Sequence, residues 1–194
     1  MAATTVPLPR RAPRAIRRRA GGRMPLIGAV LAVAGVVAGV AFTGGGGGNG
    51  LVGDAAPSFS LPDVRSPGAT VALTTGRPTV VNFFAAWCIP CRAELTVLEQ
   101  AARRSAGALS FVGIDVNDSR SAATDLLVDA GVTYPTGYDP DRSVAGSYRL
   151  QGMPTTVFID AEGRVADVAR GRLTAADLER RLDRLDRAGE VGIS

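Results

Sequence analysis

The chain of 194 residues contains no histidine, only two cysteines and a single tryptophan. A structural zinc site takes four nitrogen or sulfur ligands, and two cysteines without histidine fall short of that set. Acidic residues are missing from residues 1–23, and charge of either sign from residues 24–43. No cysteine lies between that uncharged run and Cys88, so a lipid anchor has no acceptor there. Surplus basic charge is also missing from the rest of the chain. The net charge is +4, yet seven of the 22 basic residues precede Met24, which leaves 15 basic against 18 acidic residues and a net −3 over residues 44–194. A mildly acidic domain carries no electrostatic footprint for nucleic acid.

Both cysteines fall in one short stretch, Ala85-Ala86-Trp87-Cys88-Ile89-Pro90-Cys91-Arg92-Ala93-Glu94. It follows an apolar run, Thr79-Val80-Val81-Asn82-Phe83-Phe84, that reads as a buried strand, and it opens into a helical pattern. A strand that delivers a Cys-X-X-Cys pair to the first turn of a helix is a redox device. The amide N–H groups of that turn lack intrahelical partners, and together with the helix dipole they favour a thiolate at Cys88. The thiolate is the species that attacks a disulfide. Cys91 lies one turn on, on the same face, placed to resolve a mixed disulfide by attacking the Cys88 sulfur. Pro90 costs little in a first turn but removes one donor to the thiolate. Trp87 reads as an apolar shoulder of a docking surface that also takes in Ile89 and Pro90. An inert structural disulfide is the competing reading, and a loop this short removes little chain entropy.

The N-terminal third divides by composition. Residues 1–23 hold Arg10, Arg11, Arg14, Arg17, Arg18, Arg19 and Arg23. Residues 24–43 are apolar and read as a transmembrane anchor, close to the length of about 20 residues that a span needs. The positive-inside rule keeps the arginines in the cytoplasm and sends the chain after Phe42 outside. A cleaved signal peptide with Gly39-Val40-Ala41 as its cleavage site is the alternative, against which the apolar run is longer than a signal core. Residues 44–50 are nearly all glycine and read as a flexible tether.

Residues 51–194 suffice for one domain with a single core. Phe59 and Leu61 lie on one face of an extended approach, and Val71 to Leu73 is a candidate hairpin strand. The first long helix is expected over Cys88 to Ser105, followed by a buried strand over Leu109–Asp115. Ser119 or Asp118 is placed to cap a helix that runs to Ala130 and stops at Gly131. Asp139-Pro140-Asp141 reads as a turn leading to a short helical segment around Val144–Tyr148. Thr155–Asp160 and Val165–Ala169 read as a hairpin, and Thr174 with Asp177 as the capping box of a helix running to about Ala188. The order predicts an α/β fold, a mixed sheet with helices on both faces.

With these motifs in place the chain resembles the TlpA/ResA-like thiol-disulfide oxidoreductases, membrane-anchored members of the thioredoxin fold, over about residues 51–188. The resemblance rests on Gly53 to Leu61, on Val81 to Glu94, and on Gly152-Met153-Pro154-Thr155-Thr156. It implies a cis Pro154 beside the cysteines, with Met153 and Pro154 in contact with an extended client. It also implies an inserted strand-and-helix region over Asp115 to about Tyr134, and a role for Glu94 in proton chemistry. The plain alternative for Glu94 is a solvated residue on a helix face. Two departures stand out. Leu95-Thr96 replaces a proline often found soon after the glutamate, which predicts a straighter helix. Asn82 stands where cytoplasmic thioredoxins bury an aspartate, as is typical of this branch.

The function implied is an extracytoplasmic disulfide reductase, needing no cofactor, that acts as a monomer. It would take electrons from a membrane thiol donor and pass them to client proteins such as apocytochrome c. A general disulfide oxidase or isomerase is the second reading, since direction depends on potential. A thiol peroxidase is a third, weakened because Ala85 stands where such enzymes place threonine or serine. A non-enzymatic client-binding module is the fourth.

Overall fold

A computed structural model describes residues 50–105 and 107–191. The elements run β1 (Ser60–Pro62), β2 (Thr70–Ala72), β3 (Thr79–Phe84), α1 (Ile89–Arg104), β4 (Ser110–Val116), α2 (Arg120–Asp129), β5 (Thr136–Asp139), α3 (Ser143–Ser147), β6 (Thr155–Ile159), β7 (Val165–Arg170) and α4 (Ala175–Val191). Five strands form one sheet in the order β5-β4-β3-β6-β7, and β1 pairs with β2 in a separate hairpin. β3 runs parallel to β4 and antiparallel to β6, so the sheet is mixed. Among the described residues no helix is long and apolar enough to cross a membrane. The anchor expected over residues 24–43, the arginine-rich segment before it and most of the linker after it lie outside the described residues.

β3 is buried along its whole length, as its predominantly apolar pattern demands of a central strand. Its side chains alternate between two cores. Val80 and Phe84 join Leu95 and Leu98 of α1, Leu126 and Leu127 of α2, and Leu178, Leu182 and Leu185 of α4. Val81 and Phe83 join Phe59, Leu61, Val71 and Tyr148 on the opposite face, where the hairpin and α3 lie. Helices therefore cover both faces, as expected.

α1 begins one residue later than expected. Cys88 is its N-cap, with extended backbone angles of φ −85° and ψ 99°, and Pro90 falls in the first turn. The helix then runs unbroken through Leu95 and Thr96. β5 replaces what reads in sequence as loop. It pairs with β4 from Thr136 to Asp139, and glycines permit two close approaches there. A Cβ on Gly113 would meet Thr136 Oγ1 at 2.8 Å, and one on Gly137 would meet Leu61 Cδ1 at 2.9 Å.

Candidate active site

The site forms where β3 ends and α1 begins. Cys88 N–H donates to the Ala85 carbonyl at 3.1 Å, and the Cys91 and Arg92 N–H groups turn back to the Cys88 carbonyl. The two cysteines are joined in a disulfide with a Cα–Cα distance of 5.3 Å. The usual N-cap side chain is an oxygen acceptor for the N–H groups of the first turn, and here the position is held by sulfur with no capping hydrogen bond. No acidic side chain lies in that turn, so the positive end of the helix is left for a Cys88 thiolate. Pro90 has no N–H, which narrows the donors that a thiolate could reach.

In the oxidised pair Cys88 is buried. Cys88 is only 5% exposed, because its sulfur is bonded to Cys91 and its side chain packs with Phe84 and Ala85. The exposed apolar surface is carried by its neighbours, Trp87 at 59% and Ile89 at 81%. Trp87 is held in place by its indole N–H, which donates to the Asn117 carbonyl at 3.1 Å.

Across the sheet, the antiparallel register pairs Phe83 with Thr155, which sets Pro154 beside the end of β3 from which the cysteine loop departs. The Met153–Pro154 peptide is cis. Met153 packs against the core that contains both cysteines. Met153 and Pro154, with Gln151, Thr155, Arg170 and Gly171, line an open groove of about 220 Å³. The fold thus brings Trp87, Ile89, Pro90, Met153 and Pro154 to the end of the sheet that carries the cysteine pair.

Glu94 is not a solvated residue. It is 0% exposed. Its Oε2 accepts the Asn82 side-chain N–H at 2.9 Å, and its Oε1 accepts the Leu173 backbone N–H at 2.7 Å. Burial raises its pKa from the ordinary glutamate value, opposed by the Leu173 and Asn82 hydrogen bonds and by the charge of Arg172. Asn82 also donates to Thr156 Oγ1 at 3.0 Å, so the residue that replaces a buried aspartate instead ties α1 to β6.

Sequence reasoning missed a second buried carboxyl. Asp115, near the end of β4, is 0% exposed, and neither of its carboxyl oxygens accepts a hydrogen bond from a donor among the described residues. Burial foremost, then the charge of Asp118, push its pKa up to about 8. Asp118 in turn accepts the Ala86 N–H, two residues before Cys88. The available signal was an aspartate at an inward position of a strand that otherwise reads as buried.

Known proteins agree with this geometry. The Redoxin family model matches residues 51–182. The chain is 30% identical over 133 residues to the thiol-disulfide oxidoreductase ResA of Oceanobacillus iheyensis, covering 66% of this chain and 69% of the relative. It is 34% identical over 128 residues to the thiol:disulfide interchange protein DsbE of Allochromatium vinosum, covering 64% and 70%. A solved DsbF homologue from Corynebacterium diphtheriae superposes with a TM-score of 0.62 at 32% identity, covering 69% of this chain and 88% of that one. With its Cys-X-X-Cys pair at a helix start on a thioredoxin-like sheet, the chain belongs to the Redoxin family, as a thiol-disulfide oxidoreductase of the ResA and DsbE type.

Proposed function

We propose that the protein is an extracytoplasmic disulfide reductase that accepts electrons from a membrane thiol donor and reduces disulfides in client proteins such as apocytochrome c. In the reduced enzyme the Cys88 thiolate attacks a client disulfide. One S–S bond forms between Cys88 and the client while the client's own S–S bond breaks, and the departing client thiolate takes up a proton. The Cys91 thiolate then attacks the Cys88 sulfur, forming the Cys88–Cys91 disulfide and releasing the second client thiolate. Two electrons pass from enzyme to client, and the donor restores them. The enzyme acts as a monomer, its domain lying outside the cytoplasmic membrane.

The observation that carries this reading is Cys88 at the N-cap of α1 with Pro90 in the same turn. The helix end favours the thiolate, while the missing proline N–H limits how far. A strongly stabilised thiolate makes the reduced form stable and the disulfide a strong oxidant, so moderate stabilisation favours the reductant direction. Trp87, Ile89 and Pro90 on one side and Met153 and Pro154 on the other are the client contacts. Glu94 serves the proton chemistry of the pair.

Two measurements test this. Cys91→Ser should accumulate mixed disulfides with a disulfide-bonded peptide and Cys88→Ser should not. Trapping by Cys88→Ser instead would reverse the assigned roles. Equilibration with glutathione buffers should place the potential near the thioredoxin value of about −270 mV, and a value near −120 mV would make the protein an oxidase.

A further inference from the structure

Asp115 is a buried acid with no role in the thiol exchange just described. In the sheet its register partners are Phe84 on β3 and Tyr138 on β5. Its strand neighbours Ile114 and Val116 point into the core beneath α3 and the hairpin, so Asp115 faces the other side, with Phe84 and α1. The carboxyl within hydrogen-bonding reach is that of Asp118. The other charges felt there are Arg120, at the start of α2, and Asp139, at the end of β5. Both are committed elsewhere. The Arg120 guanidinium donates to the Asp63 and Val64 carbonyls and lies 4.3 Å from the centre of the Tyr138 ring. Asp139 accepts the Val144 and Ala145 N–H groups and the Ser143 hydroxyl.

An ionised Asp115 would therefore have no donor to satisfy it and would face a second anion. A protonated Asp115 has one acceptor within reach, the Asp118 carboxylate, which already receives the Ala86 and Ser119 N–H groups. The surrounding loop is tied once more to the active-site loop and once to β5. Trp87 donates to the Asn117 carbonyl, Tyr138 donates to the Asp118 carbonyl at 2.9 Å, and Asn117 holds a left-handed φ of 50°. We propose that Asp115 is a positioning residue that keeps its proton, donates a hydrogen bond through it to Asp118, and so fixes the Ala85–Trp87 loop that presents Cys88 to a client disulfide.

The consequence is an alkaline limit. As Asp115 loses its proton, around its raised value of about 8, two anions face each other and the O–H···O bond to Asp118 is lost. The loop loosens and attack slows, whereas Cys88 ionisation alone only speeds attack as pH rises. The proposal rests on Cys88 as the attacking thiol, so its first test avoids turnover. In the oxidised protein neither cysteine titrates, and Trp87, the sole tryptophan, reports on the loop. Its emission between about pH 6 and pH 10 should show an inflection in the wild type that Asp115→Asn removes. A flat wild-type profile, or an inflection that survives in Asp115→Asn, overturns the proposal whatever the direction of the redox reaction. In the reduced protein, Asp115→Leu should slow mixed-disulfide formation with oxidised glutathione about tenfold at neutral pH. Asp115→Asn, which keeps an N–H donor, should restore most of that rate without the alkaline decline. Equal rates in Asp115→Leu and wild type also overturn it.

Discussion

At the scale of single residues, two buried carboxyls flank the cysteine pair, and both have pKa values raised by burial. The linkage sign follows directly. A group that holds its proton more tightly when folded contributes stability that is full below its unfolded pKa and declines as pH rises toward the folded value. For Asp115 the window runs from the ordinary aspartate value of 3.8 to about 8. Urea unfolding of the oxidised protein should therefore show stability falling from mildly acidic to mildly alkaline pH, and Asp115→Asn should flatten much of that slope. Glu94 adds a decline of the same sign, moderated by its hydrogen bonds from Leu173 and Asn82. The chemical effect proposed for Glu94 belongs to the second step of exchange. One helical turn beyond Cys91 and partnered by Asn82, Glu94 is placed to influence the proton of the resolving thiol. Glu94→Gln should leave the fold intact, alter the pH profile of the pair, and slow resolution rather than first attack. Stopped-flow measurement with a disulfide peptide separates the two steps, and unchanged rates with an unchanged profile would leave Glu94 as a tie between α1 and the loop before α4.

Elements were legible where local chemistry decides them. Ser119 caps α2 by accepting the Ala122 N–H, and Gly131 ends that helix with φ 66°. Thr174 and Asp177 form the reciprocal capping box at the start of α4. β5 was illegible because its sequence, Thr136 to Asp139, contains a glycine and runs into a proline turn. Only Leu61 and β4, distant in sequence, make it a strand. The burial of Glu94 was hidden for the same reason: its partners Asn82 and Leu173 lie 12 and 79 residues away. α3 shows how such long-range pieces stabilise one another. Arg142, at its N-cap, has φ 63° and no side-chain cap, and the first-turn N–H groups of Val144 and Ala145 go to Asp139 instead. α3 leads directly into Tyr148, whose ring centre lies 5.1 Å from that of Phe83. Asp139→Ala leaves those donors buried without an acceptor and should cost about 2 to 3 kcal/mol. Denaturant midpoints would measure it, and a loss within error of zero would mean that water replaces the carboxylate.

At the scale of the whole molecule, function depends on where the domain is held. The seven arginines before Met24 and the uncharged run that follows, residues 24–43, set the expected orientation, with arginines inside and the domain outside. By sequence, the glycine-rich stretch over residues 44–50 separates that uncharged run from the domain. Residues 44–194 carry net −3, so nothing in their overall charge draws them to an anionic membrane surface, and in the proposed topology the apolar run supplies the attachment. Protease added to intact spheroplasts should remove the domain and leave a short protected fragment containing residues 24–43. Alkaline carbonate extraction before proteolysis should leave the full chain in the membrane pellet. A domain that resists protease until the cells are lysed would place the cysteines in the cytoplasm and remove the extracytoplasmic reductase reading. A soluble domain whose new N-terminus lies near Ala41 or Phe42 would keep the compartment but replace the anchor with a cleaved leader.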